Sequence, residues 1–304
     1  MKFSPLFWPV TLKGKTIRIL DETLLPQRLT YIKAANYLEA ARAIKEMKTR
    51  AVGQVLLVMY TFLLSKRQHK NLAKVAKVIN ATRPTLAFEV LTNMVLGWQR
   101  SGLDMEKCIL GFLEMLKAKR IKQAHQAAGL LKDKDVILTH CNVSGLLPLV
   151  AGIAKEQGKT VSFYTTETRP YLQGSRLTAW ELDRAHVPVT IITDNMVAYL
   201  LSLGKVTKII VGADHLAKNG DIANKIGTYQ IAITAKYFKI PFYVLCPPPS
   251  KLKTGKEIKI EVRPDKELKV YQGLHLAPKN VKAYYPAFDV TPNKLITKHI
   301  YLEV

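Results

Sequence analysis

The chain has 304 residues, of which 48% are hydrophobic and 23% are charged, and its formal net charge is +23 at pH 7. This composition is typical of a globular protein with a sizeable core, and it excludes a disordered or fibrous chain. No run approaches the roughly 20 apolar residues that cross a bilayer. The first residues also lack the apolar core of a signal peptide, so we expect a cytoplasmic protein with no membrane partner.

The positive charge predicts an affinity for anions such as phosphorylated metabolites. The lysines are spread along the chain, and no aromatic platform accompanies them, so we do not expect a nucleic acid as the partner. The three cysteines, Cys108, Cys141 and Cys246, lack metal-ligand spacing and are odd in number. We therefore expect neither a disulfide framework nor a metal site.

The N-terminal part reads as a small β-hairpin followed by helices. Residues 10–12 and 16–20 are strand-like and flank Lys13-Gly14-Lys15. From about residue 32 to residue 128 apolar residues recur at helical spacing. A helix restarts over residues 80–85, with Pro84 in its first turn.

Beyond residue 133, short β-branched runs alternate with helical segments. The five strand candidates are residues 136–139, 161–164, 189–192, 209–211 and 242–245. This alternation predicts a parallel, doubly wound sheet with helices on both faces. We therefore expect an α/β protein, with a mainly helical N-terminal domain over residues 1–130 and a Rossmann-like domain over residues 131–304.

Four of these five strands end in polar residues. The clusters are Thr139-His140-Cys141-Asn142, Thr166-Glu167-Thr168-Arg169-Pro170, Thr193-Asp194-Asn195 and Gly212-Ala213-Asp214. In a parallel sheet the carboxyl ends of all the strands point to the same side, so these side chains should converge in one crevice there. The glycines form neither a Gly-x-Gly-x-x-Gly turn nor a Walker loop, so we expect no nicotinamide, flavin or ATP.

Asp214 follows a buried strand over residues 206–211, and a helical pattern begins near Tyr229. We expect Asn224 and Lys225 in the first turns of that helix, where they would add donors to an anion site. The alternative is an ordinary capped strand-to-helix turn in which these polar residues are incidental.

Cys141 has two interpretations. Free cysteines are usually buried packing residues, but a cysteine after a strand and at the start of a helix can have a lowered pKa and act as a base or nucleophile. His140 and His215 are typical of loop hydrogen-bonding residues. Arg50 and Arg83 lie near helix junctions, and they are surface arginines unless the fold places them over the crevice.

The clusters resemble the methylthioribose-1-phosphate isomerases. Matching segments are Thr139–Asn142, Glu167–Pro170 with Gln173-Gly174, Gly212–Asp214, Asn219–Asp221, Asn224–Thr228 and Pro286–Pro292. They occur in the expected order throughout the C-terminal domain. In the N-terminal half Leu20–Pro26 and Arg50 are also similar, but Arg50-Ala51-Val52-Gly53 stands where that family has Arg-Gly-Ala-Pro. The wider superfamily includes ribose-1,5-bisphosphate isomerases and the regulatory subunits of initiation factor 2B.

The resemblance implies an aldose–ketose isomerase of methionine salvage, acting on a phosphorylated sugar as a homodimer without a cofactor. It implies that Asp214 is the ring-opening acid, that Cys141 is the base, and that Arg50, Arg83, Gln173, Asn224 and Lys225 bind the substrate. The short segment between Cys141 and Glu167 is more like the bisphosphate enzymes. Ribose 1,5-bisphosphate or 5-deoxyribose 1-phosphate is therefore an alternative substrate, and a non-catalytic regulatory subunit that senses a sugar phosphate or nucleotide is the alternative function.

Overall fold

The computed structural model describes residues 3–83, 88–271 and 273–302. These residues form two compact units. The first unit reaches Ile121 and also includes Ser144–Leu146, and the second contains Lys122–Val143 and the chain from Leu147 onward. Pro84 and Thr85, in which we expected a helix to restart, lie outside the described residues.

The first unit begins with a three-stranded antiparallel sheet in the order β1-β2-β3. Its strands are β1 Val10–Lys13, β2 Thr16–Leu20 and β3 Tyr31–Ala34. The predicted hairpin of β1 and β2 is confirmed. The helical prediction is wrong for β3, because this segment pairs with β2 along its whole length.

Five helices follow among the described residues, of which the last continues beyond Ile121 into the second unit. They are α1 Tyr37–Lys45, α2 Val52–Arg67, α3 Leu72–Asn80, α4 Phe88–Arg100 and α5 Met105–Gly129. The side chains of Asn36 and Asn71 accept hydrogen bonds from the first turns of α1 and α3, which fixes where these helices begin. Helix α2 is apolar on nearly all sides because it lies at the centre of the core.

The second half of the chain alternates strands with helices. Its strands are β4 Val136–Thr139, β5 Ser162–Thr166, β6 Val189–Ile192, β7 Lys208–Gly212, β8 His215–Leu216, β9 Ile222–Lys225, β10 Phe242–Cys246, β11 Val262–Arg263, β12 Val270–Tyr271, β13 Leu274–His275, β14 Tyr285–Pro286, β15 Phe288–Thr291 and β16 Lys298–Tyr301. Its helices are α6 Leu146–Glu156, α7 Ala179–Arg184, α8 Val197–Ser202, α9 Thr228–Tyr237 and α10 Lys266–Lys269.

A six-stranded sheet in the order β16-β10-β7-β4-β5-β6 forms the centre of the second unit. Every pair in it is parallel. The five predicted strands are all present, and β16 is a sixth that the sequence prediction missed. Strands β5 and β6 lie on one side of β4, and the next strand of this sheet along the chain, β7, lies on the other side of β4. The order therefore reverses between β4 and β7, and an open α/β sheet binds its ligands at such a switch point.

Three short strands, β8, β9 and β15, form a separate antiparallel sheet in the order β15-β9-β8. Asn224 and Lys225 are the last residues of β9, and α9 begins only at Thr228. The prediction that this pair occupies the first helical turns is wrong. The reason is long-range, because β9 pairs with β15, more than 60 residues later in the chain.

Among the described residues, no helix has both the length and the apolar character that crossing a membrane requires.

Candidate functional site

The two residues that we expected to carry acid–base chemistry follow neighbouring parallel strands. Cys141 comes two residues after the end of β4, and Asp214 comes two residues after the end of β7. The loops after these strands pack together, since a Cβ atom at Gly212 would lie 3.3 Å from Cγ1 of Val143. Cys141 and Asp214 therefore both lie beyond the carboxyl ends of the central strands, at the switch point of the sheet. The polar residues that follow the strands in the sequence predicted this placement.

The backbone of Cys141 is held from both sides. Its φ is 64°, a conformation that non-glycine residues seldom adopt. Its N–H donates to Oγ1 of Thr168 at 2.9 Å, and its carbonyl accepts from Oγ1 of Thr178 at 2.6 Å. We expected the start of a helix at this cysteine, but α6 begins only at Leu146. The conformation of the loop after β4, rather than the first turn of α6, therefore sets the position of the thiol.

A chain of hydrogen bonds with a fixed direction supports this loop. His140 is 1% exposed, and its Nε2 lies 2.9 Å from the carbonyl of Ile226. A carbonyl only accepts, so Nε2 carries a proton, and in a neutral imidazole Nδ1 then accepts from Oγ1 of Thr166 at 2.6 Å. The hydroxyl of Thr166 donates its only proton to Nδ1, so in its 3.2 Å contact with the hydroxyl of Thr168 it is the acceptor. The hydroxyl of Thr168 in turn accepts from the N–H of Cys141.

Burial lowers the pKa of His140, although the nearby Asp194 opposes the shift. The imidazole is therefore neutral near pH 7, which makes Nδ1 the acceptor in its contact with Thr166. The sequence identified His140 only as a loop hydrogen-bonding residue. Its partners Thr166 and Ile226 are distant in the sequence, so the local pattern contained no signal for this role.

Asp194 fixes the loop after β5. Its two carboxylate oxygens accept from the backbone N–H groups of Thr168 and Arg169, both at 2.8 Å. The sequence placed Asp194 in a polar cluster without a role. In the structure, Asp194 holds the backbone of Thr168, whose hydroxyl accepts from the N–H of Cys141.

The loop after β5 also positions Gln173, which is 4% exposed. Gln173 precedes a π-helical turn, Gly174–Thr178. A Cβ atom at Gly174 would lie 1.7 Å from the carbonyl oxygen of Thr166. Only glycine fits there, so Gly174 packs its backbone directly against the end of β5.

Asp214, Asn224 and Lys225 belong to one hairpin. The N–H of Asp214 donates to the carbonyl of Ala223 at 2.9 Å. Asn224 and Lys225 are 5% and 8% exposed, and Nζ of Lys225 lies 4.5 Å from the ring centroid of Phe288. Asp214 itself is exposed.

In the first unit, Arg50 and Arg83 lie near the N-terminus of α2. Nε of Arg50 donates to Oε2 of Glu22 at 3.1 Å. Nη1 of Arg83 donates to Oε1 of Gln54, in the first turn of α2, at 3.4 Å. Ala51, at the N-cap, provides no side-chain hydrogen bond to this helix. Two guanidinium groups beside such a helix N-terminus form a suitable position for a phosphate.

Comparisons with known proteins agree with the resemblance that the motifs predicted. The Initiation factor 2 subunit family matches residues 30–301. A methylthioribose-1-phosphate isomerase of Thermosipho melanesiensis is 38% identical over 317 residues, covering 93% of this chain and 90% of the relative. The relative of the same name from Acetivibrio thermocellus is 36% identical over 320 residues, covering 95% and 93%.

Solved structures of two kinds are also similar. The crystal structure of 5-methylthioribose 1-phosphate isomerase from Pyrococcus horikoshii is 30% identical with a TM-score of 0.86, covering 96% of this chain and 90% of that one. The structure of the translation initiation factor eIF-2B, subunit delta, from A. fulgidus is 34% identical with a TM-score of 0.83, covering 97% and 94%. The family match over residues 30–301 and the identity over nearly the whole chain show that this protein belongs to the Initiation factor 2 subunit family.

Proposed function

We propose that this protein is an aldose–ketose isomerase that converts a ribose-type sugar 1-phosphate to the ketose 1-phosphate, with 5-methylthioribose 1-phosphate as the preferred substrate. The observation that carries the proposal is the placement of Cys141 and Asp214 after neighbouring strands at the switch point of the sheet. Relatives that bear the name methylthioribose-1-phosphate isomerase, at 36% to 38% identity, support this choice of substrate.

The chemistry begins with a sugar whose anomeric oxygen is blocked by phosphate, so the ring cannot open as an ordinary hemiacetal does. Asp214 donates a proton to the ring oxygen while the bond from this oxygen to C1 breaks. A hydride then moves from C2 to the electron-deficient C1, and Cys141, as thiolate, takes the proton from the C2 hydroxyl. The product has a carbonyl at C2, a phosphorylated CH₂ at C1 and a free hydroxyl at C4. Transfer of the proton from Cys141 to Asp214 restores both groups.

Asp214 must be protonated at the start of this cycle. Its side chain is exposed in the free protein, so the desolvation that raises a carboxyl pKa has to come from the bound sugar. A site closed by its substrate also favours direct hydride transfer over exchange with solvent. The backbone hydrogen bonds at Cys141 orient the thiol before the substrate arrives.

The remaining residues bind the substrate in this proposal. Arg50 and Arg83 bind the phosphate, for which guanidinium groups are suited because they can make two parallel hydrogen bonds. Gln173 adds a buried amide donor. Asn224 and Lys225, adjacent to Asp214 in the hairpin, bind sugar hydroxyls and orient the acid.

A second candidate function is a non-catalytic regulatory subunit that senses a sugar phosphate or nucleotide. The 34% identity to the initiation factor eIF-2B delta subunit favours it. A sensor needs a site that binds the ligand, but it does not need a thiol and a carboxyl group together at the carboxyl ends of two neighbouring strands. The presence of both Cys141 and Asp214 favours the enzyme.

The test is turnover of ribose 1-phosphates that carry 5-methylthio, 5-deoxy or 5-phospho groups, with the ketose measured by NMR. We expect Cys141→Ser and Asp214→Asn each to reduce kcat by about 10²–10⁴-fold, because each removes one acid–base partner. Cys108→Ser, in α5, and Asp104→Asn, at an exposed position, are matched controls and should retain the wild-type rate.

Ligand binding without turnover by the wild type would contradict the proposal and support the sensor. Full activity in Cys141→Ser or Asp214→Asn would exclude the acid–base pair. A reaction in deuterated water tests the hydride step separately. Little deuterium should enter at C1 of the product, whereas an enediol route would incorporate it almost completely.

A further inference from the structure

Tyr285, the first residue of β14, has a buried hydroxyl without a partner. The residue is 2% exposed, and its Oη makes no hydrogen bond within the part of the chain that the structure describes. Burying a hydroxyl without a hydrogen bond is unfavourable, so most buried polar side chains find a partner. The proposed roles of Cys141 and Asp214 leave this hydroxyl unexplained.

The polar groups around Tyr285 are already paired with one another. Arg263 lies directly across from Tyr285 in the β11–β14 pair. Its guanidinium donates to Glu261 at 3.0 Å, to Glu267 at 3.2 Å and to the hydroxyl of Tyr171 at 2.7 Å. The fold therefore satisfies the charges of this cluster without using the hydroxyl of Tyr285.

The same cluster connects Tyr285 to the loop that supports Cys141. Tyr171, the partner of Arg263, comes three residues after Thr168, whose hydroxyl holds the N–H of Cys141. Burial raises the pKa of Tyr285, and Tyr171, Glu267 and the thiol of Cys141 raise it further, although Arg263 opposes the shift. The phenol thus keeps its proton near neutral pH and lies within electrostatic range of Cys141, although it is not hydrogen-bonded to the sulfur.

We propose that the hydroxyl of Tyr285 is a further catalytic group, which donates a hydrogen bond to the C2 oxygen of the bound sugar. This inference rests on the proposed isomerase function. The C2 oxygen is the atom that Cys141 deprotonates, so it gains negative charge while the hydride leaves C2. A fixed donor at an oxygen where charge develops stabilises the transition state more than the ground state.

The test is Tyr285→Phe, with Tyr284→Phe as the matched control, because Tyr284 is the adjacent tyrosine and is 74% exposed. We expect kcat of Tyr285→Phe to fall about 10–100-fold, since one donor at an oxyanion is worth up to 10²–10³-fold. KM should change little. The melting temperature should stay the same or rise, because the variant removes a buried hydroxyl without a partner. Tyr284→Phe should match the wild type in all three measurements.

Wild-type kcat in Tyr285→Phe would overturn the inference. A lower kcat together with a clearly lower melting temperature would also overturn it, because the tyrosine would then be structural. The pH dependence of Cys141 alkylation by iodoacetamide gives a third criterion. If Tyr285→Phe raises the thiol pKa enough to account for the lost rate, the hydroxyl acts through the thiol, and the inference is wrong. A wild type that turns over none of the sugar phosphates removes the proposed function and this inference with it, whereas an active wild type with an unaffected Tyr285→Phe removes only the inference.

Discussion

Replacing Ala51 with glycine should stabilise the protein. Ala51 lies at the N-cap of α2 with φ 43° and ψ −120°. Glycine enters this region easily, but a Cβ atom makes it strained. The sequence at this point, Arg50-Ala51-Val52-Gly53, departs from the Arg-Gly-Ala-Pro of the resembling family. The backbone nevertheless has the conformation that a glycine would favour.

The expected size of the effect is the difference between two terms. Relief of a strained backbone conformation is worth about 1–3 kcal/mol. Glycine also gives the unfolded chain more freedom, which costs about 0.4–1 kcal/mol. We therefore expect Ala51→Gly to raise the free energy of unfolding by about 1 kcal/mol, which is the difference between these ranges near their middle.

Urea unfolding at pH 7, followed by circular dichroism, measures this change. The matched control is Ala118→Gly, at an exposed position inside α5. There the same chemical change should lower the free energy of unfolding by about 1 kcal/mol, since glycine is unfavourable in a helix interior. The two variants should therefore shift the unfolding midpoint in opposite directions. If Ala51→Gly destabilises the protein as much as Ala118→Gly does, the conformation of Ala51 is not strained and the reasoning is wrong.

Two further predictions concern buried charge and pH. Asp135 is 5% exposed and pairs with Lys208 at 2.6 Å, so Asp135→Asn should lower the free energy of unfolding by about 3 kcal/mol. Asp104→Asn is the matched control and should leave the free energy of unfolding nearly unchanged, because the pair of Asp104 with Lys66 is exposed. Burial tends to raise the pKa of Asp135, but the hydrogen bonds from Lys132, Lys208 and Thr207 outweigh it, so the pKa is lowered. The contribution of Asp135 to stability should therefore be complete above about pH 5 and decline below it. Equal pH profiles of stability for the wild type and Asp135→Asn would contradict this. Burial lowers the pKa of His140 in the fold, so the unfolded state takes up its proton first. Between pH 7.5 and pH 5.5, wild-type stability should therefore fall by up to about 1.4 kcal/mol more than that of His140→Asn. Urea unfolding at both pH values measures the difference, and parallel curves would show that His140 is not neutral.

The sequence predicted the central sheet well because each of its first five strands is a short run rich in β-branched or aromatic residues between helical segments. Ile209, Ile210 and Val211 of β7 illustrate this, since all three are fully buried. A parallel strand that is covered on both faces has to be apolar throughout, and such a run can be recognised locally. The polar residues that follow these strands could be assigned to one edge for the same reason.

The elements that the sequence missed depend on partners far along the chain. Strand β3 is four residues long and forms only against β2, and β16 carries the polar residues Lys298 and His299 at the edge of the sheet. Short edge strands have little local signal, because their stability comes from the strand that they pair with. The hydrogen bonds of His140 could not be predicted either, because its partners Thr166 and Ile226 are also distant along the chain.

The antiparallel pair of β9 and β15 explains why two motifs far apart in the sequence accompany one another. Asn224 lies directly across from Asp289 in this pair. Asp289 accepts hydrogen bonds from the N–H groups of Gly227 at 2.7 Å and Tyr229 at 3.1 Å, at the start of α9. Burial raises the pKa of Asp289 to about 6 in spite of these donors, so the carboxylate is held where its negative charge is costly. The segment Pro286–Pro292 therefore fixes both the strand that carries Asn224 and Lys225 and the helix that follows it, without itself supplying a group to the proposed reaction.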